Sequence, residues 1–417
     1  LPWSTRLIVK ANYLGGEYWE YGTVSLYLSD IVLVLSILTT FFAQRGKRLK
    51  KQINWLYPGW LAVLYLIIII GLISNGISYY LGLFYFSRIV VWSLGWWFLL
   101  RFNNWPLKKW ISCLLLGLII PAFLGISQFA NQTASANKWL GLAAHNSGEL
   151  GTSVVESLGN NGQISGRWLR AYGSFDQPNI FGGVMAMAIV LVIAGWSLFK
   201  SNFIRSLLLG SLAIWCLAVL FSWSRAAWLA IIFGLLLIFI FIWKNKAKRK
   251  RMLILTAFLS IWTFFWLWPF NELLHSRVGG QTRLEQKSLN ERRDSYNEAS
   301  FLIKDRPLFG VGLGNYTGAS SLKDETEKPA WQYQPVHNAI ILIIAEIGYL
   351  GAAWLIFGWV WFLWQARRKF FVWPLTISCF CLMMFDHWWW SLHSGIIFLW
   401  FFSAALFAIG RHETKLL

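Results

Sequence analysis

Six histidines occur in the 417 residues, and five of them, His145, His275, His337, His387 and His393, fall in or beside connections on one side of a series of apolar stretches. His337 draws attention because it stands directly before such a stretch, in QPVHNAIILIIAEIGYLG. A helix start opposes the imidazolium charge, so a ring there is held neutral, as a general base must be. The same start presents free N–H groups to an anion such as phosphate. An ordinary polar residue at a helix start fits the position equally well. Arginines are spread over the same connections: Arg167, Arg170, Arg277, Arg283, Arg292, Arg293 and Arg306. Guanidinium groups bind phosphate bidentately and keep their charge when partly desolvated, so several converging would suit a diphosphate. Solvated ion pairs account for such a loop equally.

Four more charges lie inside or at the ends of apolar stretches. Arg225, in SWSRAAW, occupies a short turn between two of them. Arg88, in YFSRIVVW, and Asp30, in LYLSDIVLV, sit at comparable depth, which makes an Asp30–Arg88 pair the simplest arrangement. Glu346 follows His337 by nine residues, about 13 Å along a helix, too far to orient the ring. A structural role inside a bundle is expected for it, with an unnamed partner. DxD, GxxxxGK[ST] and HExxH are all missing. The run GVGLGNY (310–316) has a GxGxG core without a preceding strand, so a tight turn is expected rather than a nucleotide site.

The elements that must carry these groups follow from composition. The chain is 57% hydrophobic and 13% charged, against about 25% charged in soluble domains. Its net charge of +19 would admit a nucleic-acid partner, but apolar stretches near the length of a bilayer crossing recur along almost the whole chain. A soluble enzyme and a nucleic-acid partner are therefore excluded. Eleven spans are expected, at 24–43, 55–74, 82–100, 110–128, 180–198, 206–222, 226–243, 252–270, 338–363, 370–385 and 394–410. The fold class is an all-α polytopic integral membrane helical bundle. The expected organisation is an N-terminal bundle (1–270), a large loop (271–336) and C-terminal membrane helices (337–417).

Partitioning the charge orients the bundle. Alternate connections, with the tail, hold 21 basic residues and one acid: RGKRLKK (45–51), Arg101 with Lys108 and Lys109, Lys200 with Arg205, KNKAKRKR (244–251), RRK (367–369), Arg411 and Lys415. The opposite segments 131–179 and 271–336 are balanced, with three and nine charges of each sign. Basic connections face the cytoplasm, which puts the N-terminus outside and suggests one further span before Leu1, twelve in all. Every inner connection is short, so a sugar donor must be presented at the outer face or within the membrane. Most of the 29 Trp and 14 Tyr, Trp96–Trp97 and Trp388–Trp390 among them, read as an interfacial belt, a few outer ones as sugar-stacking platforms. The four cysteines lie inside apolar stretches and read as small buried hydrophobes. Within the large loop, 288–304 reads as a helix, with capping-box spacing of Ser288 and Glu291 and a packing face of Leu289, Arg292, Tyr296, Ala299 and Ile303.

Five pieces in this order, RAYGSFDQPN (170–179), SWSRAAW (222–228), NERRDSYNEASFLIKDRPLFGVGLGNY (290–316), HNAIILIIAEIGYLG (337–351) and DHWWWS (386–391), resemble the bacterial O-antigen ligase and polymerase family. The resemblance implies a long, partly helical periplasmic loop in a multi-pass protein of the bacterial inner membrane, with its active site facing the periplasm. It implies an undecaprenyl-diphosphate-linked glycan donor and, in the ligase branch, a lipid A–core acceptor. The essential histidine falls on His337, the arginine of the short turn on Arg225 and that of the loop helix on Arg292, with Arg293 adjacent and helical phase favouring Arg292. Arg88 joins the diphosphate-binding set, and Arg170, Asp176, Asn179, Asn338, Asp386 and His387 are expected to bind substrate. Neither a metal nor a cofactor is expected, since arginines would supply the charge that a metal would. A polymerase acceptor, a protein acceptor and, in a different class, a transporter remain alternatives. The last predicts broken helices, midplane charges and an internal repeat, and no repeat is visible.

Overall fold

The computed structural model describes residues 3–45, 55–103, 105–149, 151–158, 163–196, 201–280, 282–324 and 328–410. Three of the basic segments, 46–51, Lys200 and 411–417, lie outside them. Helices α1 (Leu28–Gln44), α2 (Leu56–Asn75), α3 (Tyr79–Phe102), α4 (Leu107–Gly117), α5 (Ile119–Asn131) and α6 (Pro178–Ala194) come first. Next are α7 (Asn202–Ser222), α8 (Arg225–Ile242), α9 (Lys246–Leu267), α10 (Asn271–Gly279) and α11 (Arg283–Asp305). The last are α12 (Tyr316–Ser321), α13 (Ala339–Ala366), α14 (Val372–Phe385), α15 (Trp388–Ser391) and α16 (His393–Gly410).

Each of the eleven expected spans contains a helix among the described residues, that of 180–198 ending at Ala194. Among the described residues, seven helical runs are long and apolar enough to cross a membrane, with α4 and α5 counting as one, and α1, α6, α14 and α16 are the shorter apolar helices. The chain is an all-α polytopic membrane protein. The first span begins later than expected, because 24–27 form a strand paired with Arg6–Lys10. Cys379 and Cys381 are buried as expected, whereas Cys113 is exposed.

The chain divides into two compact units. The first comprises 1–4, 111–291 and 369–382. In it α6 packs on α7 and α8, and α9 lies against α7 and α8. A hairpin of 154–158 with 164–169 carries α10 on one strand. Phe129 stacks on Phe221 at 4.2 Å, with Phe270 edge-on to both. The turn between α7 and α8 is two residues long: Trp223 adopts φ 49° and Ser224 caps α8, accepting from the Ala227 amide at 3.4 Å. Arg225 is thereby fixed as the first residue of α8.

The second unit comprises 5–110, 292–368 and 383–417. Here α16 packs on α3 and α13, α2 on α13 and α3, and the short α15 on α16 and α13. Helix α13 is interrupted at Gly348, which adopts φ 69° and ψ 178°. The interruption frees two carbonyls and two amides, and the run 307–312 occupies all four. Val311 and Gly312 donate to the Ala345 and Glu346 carbonyls at 2.9 and 3.0 Å, and Tyr349 and Leu350 donate to the Pro307 and Leu308 carbonyls at 2.8 and 3.3 Å. The glycine-rich run is thus a backbone plug in a broken helix, in keeping with the turn expected from its spacing. The transporter reading predicted a broken helix too, but here protein backbone satisfies the freed groups. A Cβ on Gly348 would lie 2.1 Å from the Leu308 carbonyl oxygen, in a conformation L-residues avoid. Gly348→Ala is expected to cost about 2 kcal/mol or more, read as a lower thermal midpoint in detergent, and an unchanged midpoint would contradict the plug.

Of the tryptophans named for the interfacial belt, Trp97 is half-buried, whereas Trp96, Trp388, Trp389 and Trp390 are buried in protein, each at most 5% exposed. An indole N–H tolerates burial when it finds an acceptor. Trp96 donates to the Ile397 carbonyl at 3.2 Å and Trp390 to the Glu346 carboxylate at 2.8 Å.

Candidate functional site

Asn338, not His337, caps α13. Its backbone is extended, and its side-chain oxygen accepts from the amides of Ile340 and Ile341 at 3.0 and 3.1 Å. The Ala339 amide donates to the Asp386 carbonyl at 3.1 Å, and that of Leu342 to Asn338 at 3.0 Å. The helix start therefore presents no free N–H to an anion, which corrects the phosphate reading of that end. Asn338 also donates to the Met384 carbonyl at 3.1 Å. These bonds tie the α13 start to the segment after α14 and bring Asp386 and His387 beside His337.

Glu346 holds the same segment from below. Its carboxylate accepts from Trp390 and from the backbone amides of Gly314 and Tyr316. The partner that the sequence left unnamed is the third tryptophan of DHWWWS. Glu346 is therefore a positioning residue for Asp386 and His387, through Trp390 and the glycine plug.

Within the cluster, His337 Nδ1 lies 4.0 Å and His387 Nε2 3.9 Å from Asp386 Oδ1. Asp386 is 3% exposed at its side chain, His387 fully buried and His337 24% exposed, so the exposed ring is the one a substrate can reach. The Asp386 Oδ1 atom accepts from the His387 amide at 2.8 Å. Ser391 Oγ lies 2.6 Å from His387 Nδ1 and 3.2 Å from the His387 carbonyl; when its hydroxyl donates to the carbonyl, His387 Nδ1 carries the ring proton. His387 Nε2 is then a lone pair facing a carboxylate oxygen. Burial lowers the His387 pKa to about 4, with Asp386 opposing and His337 adding to the shift. Neither His337 Nδ1 nor His387 Nε2 has a hydrogen-bond partner. The separations exceed a direct hydrogen bond and match two groups sharing one bridging oxygen.

Arg88 does not pair with Asp30. Asp30 accepts from Trp92 at 2.9 Å and from the Tyr27 amide at 3.0 Å, capping α1. Arg88, 8% exposed, donates instead to His393 Nδ1. A guanidinium only donates, so His393 carries its proton on Nε2, which bonds Ser29 Oγ at 2.5 Å. Tyr27 stacks on the His393 ring at 3.7 Å and lies under the guanidinium. The indole wins Asp30 because Trp92 lies one helical turn beyond Arg88 on α3, level with the carboxylate.

The arginines of the first unit form a separate group. Arg225 Nη2 lies 2.9 Å from Glu285, Arg277 pairs with the same carboxylate, and Arg225 also donates to the Arg277 carbonyl at 3.3 Å. A cation as the first residue of α8 opposes the helix dipole, and Glu285 offsets that. About a third of the Arg225 side chain remains exposed. Arg170 is buried and donates to the Ser222 carbonyl, Ser153 Oγ and Asn179 Oδ1 at 2.8, 3.0 and 2.6 Å. Burial, then the neighbouring Arg277, lowers its pKa. Asn179, like Arg170 an expected substrate ligand, is thus engaged with Arg170 itself, and Asp176 is exposed.

Helix α11 begins at Arg283, one and a half turns before the expected start, so Ser288 lies inside it. Its first turn is held by Thr282, which accepts from the Glu285 amide at 3.4 Å. The packing face is rotated as well: Leu289 and Tyr296 are exposed while Ala299 and Leu302 are buried. Arg292 is half-buried and Arg293 exposed. Sequence reasoning missed Glu285, Arg277, Ser391 and Trp390 as partners of site residues. The only signal was the acid count of the large loop, which fails to say which acid meets which arginine.

Residues 209–356 match the family model described as O-antigen ligase. That stretch contains Arg225, Arg292, Arg293, His337 and Asn338, and lies between Arg170 on one side and Asp386 on the other. No curated protein matches the chain.

Proposed function

We propose, from a chain whose residues 209–356 match the O-antigen ligase family model, that the protein moves a glycan from undecaprenyl diphosphate to a hydroxyl of lipid A–core at the periplasmic face of the bacterial inner membrane. The family supports a lipid-linked glycan transferase in general; the donor, the acceptor and the sidedness are the proposal. The observation that carries the mechanism is the partly exposed His337 ring with its Nδ1 turned to the buried Asp386 carboxylate, 4.0 Å away.

In this reading Asp386 keeps the His337 proton on Nδ1 through one bridging oxygen, and so leaves the Nε2 lone pair for the acceptor. His337 Nε2 takes the hydroxyl proton as the oxygen attacks the anomeric carbon. The bond from that carbon to the diphosphate oxygen breaks, its electron pair leaving with undecaprenyl diphosphate. One backside displacement inverts the anomeric centre. Arg292 and Arg88, in the same unit as His337, stabilise charge on the leaving diphosphate, with Arg293 the neighbouring candidate.

The test incubates purified protein with undecaprenyl-diphosphate-linked glycan and candidate acceptors, and resolves the products on a gel. Glycan joined to lipid A–core with inverted anomeric configuration is the expected product, formed equally in the presence of a chelator. Elongation of the lipid-linked glycan alone would replace the ligase reading by the polymerase one. Transfer to none of the acceptors would sink both.

A further inference from the structure

We propose that His337, Asp386 and His387 form a binding site for a divalent transition-metal ion of the zinc class, and that the ion shuts the site down. One donor atom from each residue lies within 4.8 Å of the others. With the Ser391 hydroxyl donated to the His387 carbonyl, the His387 Nε2 lone pair faces Asp386 Oδ1 from 3.9 Å. Two acceptors that face each other in a buried place repel unless a proton donor or a cation lies between them. His337 Nδ1, equally without a hydrogen-bond partner, closes the third side.

The donor set decides the class of ion. Two imidazoles and one carboxylate suit zinc and its neighbours, whereas calcium and magnesium take oxygen ligands. Tetrahedral zinc brings its ligand atoms to roughly 3.3 Å from one another. The 3.9 and 4.0 Å separations thus need to close by less than about an ångström, the first by a shift of the Asp386 carboxylate towards His387 and the second by rotation of the partly exposed His337 ring. Ser391 already serves as the outer partner that orients a metal-bound imidazole. Entry is through the exposed edge of His337.

The consequence for transfer rests on the reading of His337 as general base. A metal held by Nδ1 needs the lone pair there, so the ring proton moves to Nε2 and the base disappears. Zinc is then an inhibitor, competing with the tautomer that Asp386 supports.

The experiment uses the full chain in detergent, stripped with a chelator and dialysed against zinc chloride, with bound metal measured directly. Wild type is expected to hold about one ion per chain, and His387→Gln to weaken binding by about tenfold or more. His275→Ala, outside the cluster, is expected to leave binding intact. X-ray absorption of the zinc-loaded wild type is expected to show two imidazole ligands, a reading that needs no variant to fold. Transfer activity should fall over the same zinc range and return with chelator. Absence of stoichiometric zinc, a site without imidazole, or unchanged affinity in His387→Gln overturns the metal site. Zinc bound with undiminished transfer overturns the inhibition. Binding is read without donor or acceptor, so it stands apart from the proposed reaction: transfer by His337→Ala would sink the base and leave the metal site standing.

Discussion

His337→Ala is expected to reduce glycan transfer by about 10²–10⁴-fold or more, while the protein still accumulates and inserts. The separation of the two effects is what the geometry supports. His337 does not cap α13; Asn338 and the Asp386 carbonyl satisfy the first-turn amides, so the helix start survives loss of the ring. Its Nδ1 has no hydrogen-bond partner and its side chain is 24% exposed, so truncation strands no buried group bonded to it. The measurement is transfer by purified variant and wild type at matched amounts, with thermal midpoints recorded alongside. Full activity in a well-folded His337→Ala protein would remove the general-base role altogether.

Glu285→Ala is expected to be the most destabilising change in the first unit. The carboxylate, 5% exposed at its side chain, meets Arg225 and Arg277, and Arg277 also donates to the Trp223 carbonyl at 3.1 Å. Removing one member of a buried ion cluster leaves uncompensated charge and costs about 3–5 kcal/mol. Arg225 is a third exposed and screened by solvent, so the lower end, about 3 kcal/mol, is expected. Loss of expression or a large drop in the thermal midpoint in detergent is the readout. Glu285→Gln should recover part of it by keeping hydrogen bonds to both guanidinium groups. A midpoint unchanged in Glu285→Ala would mean that the two arginines do not depend on this carboxylate, and that Arg225 is positioned by its backbone alone.

Glu346 illustrates how far a sequence argument reaches. Its place in an apolar helix, far from the His337 ring, already implied a structural role and a buried partner. The partner is Trp390, whose neighbours in DHWWWS read from sequence as a membrane-interface belt. Hydropathy reports that an indole prefers a half-polar place, and a buried N–H on a carboxylate satisfies that preference as well as headgroups do. Asp30 and Arg88 fail for a related reason. Equal depth makes a pair possible, but Trp92, one turn further along the same face of α3, meets Asp30 and leaves Arg88 to His393.

What the sequence determined by itself was whatever depends on local periodicity and composition: the helical stretches, the turn at GVGLGNY, and the need of Glu346 for a buried partner. Burial of apolar side chains and backbone self-satisfaction in lipid act over one helix length, so they are written within each stretch. The tertiary structure alone decided which distant groups meet. The Asn338 cap is filled from within its own helix, but the Asp386–His387 pair is delivered by bonds between α13 and the chain after α14, and Glu285 reaches Arg225 across α10 and the start of α11. Such pairings depend on helix rotation and loop closure, which leave no period in the chain, and it is these that bring Asp386 and His387 beside His337.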